Sequence, residues 1–439
     1  MYSGASMSYP RRTLLVTTPR FPFPVVGGDR LRIVEICRSL SRVFDLHLIS
    51  LADHTPNHAA MEDAEALFCR VEVVHLSKFR SILNCIGGLL SGQSLQIAYY
   101  RSRRFADLVA SRVQAADGVL AHLLRTAGNL PPVDRPVIVE MTDAISMNYD
   151  RIDWLAQGKG VKPLIYRLEA ERIRRAEADA PSRFALLSLI SNVDCRYLYG
   201  EDAPDNVVIC GNGAQLHALP CNSIRRSGAQ PPTIAFIGNM DSFQNQEAVN
   251  WFCREVLPIL RRSGDFRLRV VGNASARRID QLSRYDGVNA TGAVLSIATA
   301  VNGCFAGVCS VRVGAGVQNK LLDYMALGLP AVTTSIGLEG LQARQCEHLR
   351  LADTAQAFAA ELLDIWQDEA RASAMADRAR RHVERNYSWD AVLKPLVARI
   401  SGVIECEDMP TSGSARLPLP PKALASWHSD PNDKNEPEA

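Results

Sequence analysis

Twice along this chain, short apolar runs rich in β-branched residues alternate with longer segments of helical periodicity. Thr13-Leu-Leu-Val-Thr-Thr18 opens the first series, and residues 19–28 form a Pro/Gly loop. Ile33, Ile36, Leu40 and Val43 then fall at helical spacing with Asp29 placed as their N-cap, and residues 46–51 are strand-like again. Strand, loop, helix, strand is the opening of a parallel α/β domain. Further strands are expected at 71–76, 118–120, 137–141, 185–190 and 207–213, with a long helical pattern over 161–180. Residues 214–232 lack periodicity and carry Pro220, Pro231 and Pro232, which marks a linker. The second series follows, with strands expected at 233–238, 267–272, 288–291, 304–310, 331–334 and 348–351, and helices at 246–261 and 317–327. Two helices close it, 355–385 and 389–404. The fold class is α/β, with two doubly wound sheets.

Composition narrows the partners. The chain has 439 residues, 47% hydrophobic and 22% charged, enough for two or three domains with cores of their own. Its 49 basic and 47 acidic side chains leave a net charge of +2, which argues against nucleic acid as a partner. The 11 cysteines are odd in number and form no Cys-x-x-Cys pair, so neither a zinc site nor a disulfide framework is expected, and a reducing cytoplasm is. No metal site is expected, since no Asp-x-Asp follows an apolar strand and no His/Cys/Glu cluster has ligand spacing. Residues 1–12 lack a signal-peptide core, and neither 81–100 nor 287–311 is apolar enough to span a bilayer. Residues 1–12 and the proline-rich 405–439 are expected to be disordered.

The segment 311–334 concentrates the chemistry. Gly314 and Gly316 let backbone approach a ligand just before a helix begins, and the free amides of 316–319 with the helix dipole favour an anion. Arg312 and Lys320 add positive charge there. Leu321, Leu322, Met325 and Ala326 make the buried face, while Asn319 and Asp323 share the other, where Asp323 can accept from sugar hydroxyls. Gly328 and Pro330 end the helix.

The string Gly314-Ala-Gly-Val317-Gln318-Asn-Lys-Leu-Leu-Asp-Tyr-Met-Ala326 resembles the donor segment of the retaining family-4 glycosyltransferases, and within them the sugar transferases of bacterial exopolysaccharide clusters. Phe236-Ile-Gly-Asn239-Met-Asp241, Asn245, Val270-Val-Gly272, Gly292, Gly337-Leu-Glu-Gly340 and Tyr387-Ser-Trp389 fall in that family's order, and the resemblance covers residues 13–400. So does Pro24-Val-Val-Gly27-Gly28-Asp-Arg30, where the family keeps a glycine loop facing the cleft. The resemblance implies the GT-B fold: two facing Rossmann-like domains, here an acceptor domain at 13–213 and a donor domain at 233–388, with the 389–404 helix crossing back to the first. It implies a nucleotide-diphosphate sugar of UDP or GDP type as co-substrate and transfer with retention; the absence of a metal motif makes metal-independent transfer, with no further cofactor, the expectation. The acceptor would be a polysaccharide or its lipid-linked precursor. Gly27, Gly28, Asn239, Asp241, Arg312, Gly314, Gly316, Val317, Gln318, Asn319 and Lys320 fall to donor binding, and Asp323 to the ribose.

Two departures stand out. The family places an acid eight positions before Asp323, where this chain has Ala315, and its Arg-x-x-x-x-Lys pair is not evident after Gly238. Arg312 and Lys320 are the substitutes expected to neutralise the diphosphate. The missing acid leaves open a catalytically weak relative that serves as scaffold or partner subunit. An oxidoreductase is disfavoured, because the first strand–helix connection lacks Gly-x-Gly-x-x-Gly.

On the acceptor side, His122 follows a strand and either lines the cleft or caps the strand end. Asp143 either orients an acceptor hydroxyl or caps the next helix, and Asp29 carries the same ambiguity. Residues 78–90 with Arg101, Arg103 and Arg104 mix apolar and basic side chains, as a surface helix of the first domain or as a rest on the anionic inner face of the plasma membrane.

Overall fold

The computed structural model of the chain describes residues 11–155, 161–216, 219 and 231–406. Of the expected disordered ends, all but Arg11, Arg12, Glu405 and Cys406 lie outside these residues, as does most of the 214–232 stretch.

Two parallel sheets form the frame. The first has seven strands, β1 (Thr13–Thr18), β2 (Asp45–Ala52), β3 (Arg70–His75), β4 (Gly118–His122), β5 (Val137–Thr142), β6 (Leu186–Leu189) and β7 (Val207–Ile209), in the spatial order β3-β2-β1-β4-β5-β6-β7. The second has six, β8 (Thr233–Ile237), β9 (Arg267–Val271), β10 (Val288–Ala290), β11 (Cys304–Cys309), β12 (Ala331–Thr333) and β13 (Arg350–Leu351), in the order β10-β9-β8-β11-β12-β13. Strand order reverses between β1 and β4 in one sheet and between β8 and β11 in the other. Crevices at the carboxyl ends of strands at such reversals are where open α/β sheets bind ligands. β1, β4 and β11 are buried almost throughout because helices cover both faces of each sheet, which is why they read as continuous apolar runs.

Local sequence explains several fixed points. A Cβ at Gly307 would stand 2.4 Å from the Tyr324 ring, so glycine in β11 lets that ring lie flat on the sheet. The Tyr324 hydroxyl then donates to Val308 O at 3.1 Å and accepts from Ile237 N at 2.8 Å, filling the gap where β8 and β11 part. A Cβ at Gly272 would meet Gly238 O at 2.1 Å, so β8 and β9 can converge at their carboxyl ends only with glycine there.

The final helix, Trp389–Glu405, buries Trp389, Leu393, Leu396, Ile400 and Ile404 in the core of the first domain, against Leu14, Ile36, Leu40 and Leu120. Gly213 makes room for it, since a Cβ there would lie 2.5 Å from the Trp389 ring. The expected single helix over 355–385 is two, Ala355–Gln367 and Glu369–Asn386, because Asp368 leaves the helical region (φ −115°, ψ 83°) and its side chain caps the second by accepting from Arg371 N.

Candidate active site

The carboxyl ends of the two sheets face each other, and polar contacts cross between the domains. Arg151 pairs with Glu339 at 2.7 Å and donates to Gly314 O. Asn212 Nδ2 donates to Asn319 Oδ1 at 2.6 Å, and Gln244 Nε2 to Asn148 Oδ1 at 2.7 Å. Gly316 has φ +70°, the left-handed region, and its amide donates to the Asp194 carboxylate. A side chain there would also be tight: a Cβ would lie 3.2 Å from that of Asp143. Val317 and Ser191 close more tightly still around Gly340, each 2.9 Å from where a Cβ would stand.

The helix Asn319–Ala326 begins at this junction. Gln318 occupies its N-cap without a capping side-chain bond, so amides of the first turn stay free of side-chain acceptors. Lys320 is 8% exposed, donates from Nζ to Gln318 Oε1 at 3.0 Å and lies 5.4 Å over the Phe236 ring. No carboxylate comes within ion-pairing distance of it among the described residues, and burial lowers its pKa. Half-buried Asp323 accepts no hydrogen bond from any described residue, and desolvation pushes its carboxyl up to about 7 although Lys320 pulls the other way. An unpaired ammonium and an unanswered carboxylate at one helix end are costly to a fold and suited to a ligand that satisfies both.

Across the cleft, Gly27 and Gly28 start the helix Gly28–Leu40, and a Cβ at Gly28 would lie 3.0 Å from Asn319 Nδ2. The glycine loop of the first domain therefore closes directly over the start of the Asn319–Ala326 helix. Asn239 and Asp241 are exposed on the loop after β8, where Asp241 Oδ2 accepts from Asn273 Nδ2 at 2.9 Å.

Three expectations need correction. Arg312 ion-pairs with Glu247 and lies 5.0 Å over the Trp251 ring, so its charge is already answered on the helix Phe243–Trp251. Asp29 does not cap the first helix: Gly27 is the N-cap, and Asp29 sits in the first turn 3.8 Å from Arg20. Asp143 does not cap the following helix either. Glu177 accepts from Ile145 N at 2.6 Å and Ser146 N at 3.3 Å, and Asp194 accepts from Ala144 N at 2.9 Å, so two acids from elsewhere hold that helix start. Asp143 is left facing Gly316, with Asn148 Nδ2 at 3.1 Å, and its carboxyl is raised to about 6 by burial and by Asp194.

His122 is 3% exposed, with Nδ1 2.9 Å from Glu140 Oε2. Glu140, fully buried in β5, also takes Arg32 Nε at 2.6 Å, Thr142 N at 3.0 Å and Thr142 Oγ1 at 2.9 Å. Burial pushes its carboxyl up, but Arg32 and then His122 outweigh that and hold it at about 2. Leu123 and Thr142, the residues flanking His122 and Asp143, have φ +67° and +66°, backbone that a non-glycine residue keeps only when its surroundings enforce it. Glu140 supplies that enforcement, through its side chain at Thr142 and through its carbonyl, which accepts from Leu123 N at 2.7 Å. The sequence reading missed this network. Its signal was a glutamate inside Val-Ile-Val-Glu-Met, which an interior strand tolerates only with a buried cation.

Among the described residues, no three His, Cys, Asp or Glu side chains gather as metal ligands would, and no helix is long and apolar enough to cross a membrane.

Residues 231–368 match the family of group 1 glycosyl transferases. An uncharacterized 44.6 kDa protein of the cps region of Klebsiella pneumoniae is 27% identical over 173 residues, which span 37% of this chain and 44% of that protein. The sucrose-phosphate synthase of Thermosynechococcus elongatus superposes with a TM-score of 0.67 at 13% identity, over 90% of this chain and 100% of that one. HepE of Anabaena, solved with UDP-glucose, superposes with a TM-score of 0.63 at 12% identity, over 89% of this chain and 99% of its own. At such identities the likeness is one of fold, the two-domain GT-B frame. Residues 231–368 thus carry a domain of the group 1 glycosyl transferase type, seated in a two-domain frame of the GT-B fold with its open polar groups facing the cleft.

Proposed function

We propose that this protein transfers a sugar from a nucleotide-diphosphate donor, of UDP or GDP type, to a cell-surface polysaccharide or its lipid-linked precursor, with retention and without a metal. The observation that carries the reading is the pairing of unanswered Lys320 and Asp323 on the Asn319–Ala326 helix beneath the glycine loop. Asp323 receives the ribose hydroxyls, and Lys320 with the free amides of the helix start meets the diphosphate. As the sugar–phosphate bond breaks, negative charge grows on the departing diphosphate, and a fixed ammonium and helix dipole stabilise it without reorganising. The Gly27–Gly28 loop lies over this place and shields it from water. Asp143, held at the junction by Gly316 and Asn148, is the acid best placed to orient an acceptor hydroxyl. His122 acts as a positioning residue, its imidazole fixed by Glu140.

The acceptor side of this reading is supported by a cavity of about 820 Å³ in the first domain. The loop that lines it through Arg20, Phe21 and Pro24 continues into Gly27 and Gly28, and Tyr99, Tyr100 and Arg125 form its other wall. Cys85 brings the helix Lys78–Ser91 to the same cavity. That helix has no acidic residue, and it exposes Phe79 (70%), Ile82, Leu83, Ile86, Leu89 and Leu90 (88%). An apolar helix face flanked by Lys78 and Arg80 fits an anionic bilayer surface that would present a lipid-linked acceptor to the cavity. That acceptor and the cps-region relative support a place on the inner face of a bacterial plasma membrane and a role in exopolysaccharide synthesis.

Thermal unfolding with UDP, GDP and NAD tests the donor. Saturation at 100 times the dissociation constant adds about 2.7 kcal/mol, a clear rise in melting temperature. A rise with UDP or GDP alone supports the reading and names the base, and a rise with NAD alone refutes it. Ala315, where the family's first acid would stand, is 7% exposed against Ala144 and Met147. Donor binding without transfer would therefore favour a scaffold or partner subunit.

A further inference from the structure

A second cavity, of about 570 Å³, lies in the C-terminal domain between the segment 342–348 and the last turns of the helix Glu369–Asn386. Arg344, Arg378, Arg381 and Arg385 line it, and Glu347 is the only acid among its lining residues. Arg344 takes the Glu347 carboxylate at 3.4 Å, and Arg378 Nε donates to the Glu347 carbonyl at 3.1 Å. Exposed Arg381 and Arg385 have no partner among the described residues. The remaining wall is a pair of imidazoles, His348 and His382, stacked with ring centroids 4.3 Å apart. Burial lowers the pKa of each; Glu347 pulls the other way, Arg344 lowers both, and Arg378 adds to this at His348 as His348 does at His382. His382 Nδ1 accepts from Asn386 Nδ2 at 3.2 Å, so its proton is on Nε2, which is buried without an acceptor.

A protein that needed these residues only for its own stability would set carboxylates opposite the free guanidiniums. Here three guanidiniums of the helix Glu369–Asn386 and that of Arg344 share one open space with a single carboxylate, an arrangement that an added anion would balance. Guanidinium forks match phosphate oxygens two at a time, and a neutral imidazole stack offers a flat surface for the rest of a ligand.

We propose that this cavity is a second binding site, separate from the donor cleft, for a small phosphate-bearing polyanion, either inorganic diphosphate or a sugar phosphate ester. Its place in the fold gives binding there a route to the domain junction. Tyr387 tilts against His382 at 5.6 Å, accepts from Gln342 N through its hydroxyl at 2.8 Å, and through its carbonyl takes Ala214 N at 2.7 Å, where the chain passes between domains. The site does not depend on the donor reading.

The test is calorimetric titration of inorganic diphosphate into the full chain at low ionic strength, with UDP or GDP first added to occupy the donor cleft. Saturable binding is expected, weakened at least tenfold in the Arg381→Ala/Arg385→Ala double variant, whose exposed positions spare the core, and retained in Lys320→Ala. The double variant should bind the nucleotide as the unaltered chain does. Absence of saturable binding, or binding that the double variant leaves unchanged, overturns the site. Repeating the titration with glucose 1-phosphate separates the two sources, the tighter ligand being the class the site takes. Saturation by glucuronate but by neither phosphate would overturn the phosphate assignment. A chain that binds diphosphate here but no nucleotide would sink the donor reading and leave this site standing.

Discussion

The two domains treat their buried charges in opposite ways at corresponding places in the fold. At the carboxyl ends of β4 and β5, the charges of Arg32 and Glu140 answer each other, and both His122 and the Thr142 backbone join them. Below the end of β11, buried Lys320 and half-buried Asp323 find no such partners. A closed network of charges fixes backbone, whereas an open one waits for a ligand. On the reading proposed above, the difference separates residues that hold the cleft in shape from residues that would grip what enters it.

Three measurements would break or sharpen that contrast. The largest effect is expected from Glu140→Gln, which leaves the buried Arg32 guanidinium without its counter-charge and should cost about 3–5 kcal/mol in denaturant unfolding. Because Glu140 is held at about 2, its stabilisation is present above the ordinary glutamate range and is lost as pH falls toward 2. The variant should therefore lose the part of the acid-unfolding slope that this group supplies. A variant as stable as the parent at pH 7 would mean that the network is dispensable.

Next comes Lys320→Ala, expected to weaken nucleotide binding about 100-fold, or about 2.7 kcal/mol, with little change in folding stability. Arg312→Ala is the control: with its charge already taken by Glu247, nucleotide affinity should move less than threefold, on the order of 0.6 kcal/mol. Equal losses in the two variants would show that Arg312 leaves Glu247 to meet the diphosphate.

The smallest effect is the pH dependence set by Asp323. Its carboxyl is raised to about 7, so nucleotide affinity should climb roughly tenfold between pH 6 and 8 as the carboxylate forms, and stay flat in Asp323→Asn. In the empty protein the same group acts in the other direction: the stability it contributes in acid is lost as pH rises through about 7. Nucleotide should thus protect more at pH 8 than at pH 6, and a melting shift independent of pH would remove Asp323 from the ribose.

Much of this frame was legible in the sequence, because a strand buried on both faces must be apolar along its whole length. Residues 304–310 and 331–334 show that pattern directly, and β11 and β12 lie within them. The glycines before Asn319 were legible for a related reason, since Gly316 needs a left-handed backbone that few other residues accept. What stayed hidden depended on long-range partners. Nothing near Arg312 in sequence announces Glu247, 65 residues earlier, and nothing near Ile145 announces that Glu177 would hold its amide. Asp29 and Asp143 stand where a local cap would, but Gly27 at the first helix and Glu177 and Asp194 at the second take that position instead. The break at Asp368 is a single-residue departure inside a long helical pattern, too short to disturb its periodicity.

The crossing helix Trp389–Glu405 has a consequence for how the protein is made. The first domain leaves the ribosome with a trough along Leu14, Ile36, Leu40 and Leu120 that only the last described helix fills, and nearly the whole second domain must be synthesised before that helix exists. During that interval the nascent first domain carries an apolar groove of its own length scale, a natural station for a chaperone, and translation stopped before residue 389 would yield a protein with its first domain permanently unsealed.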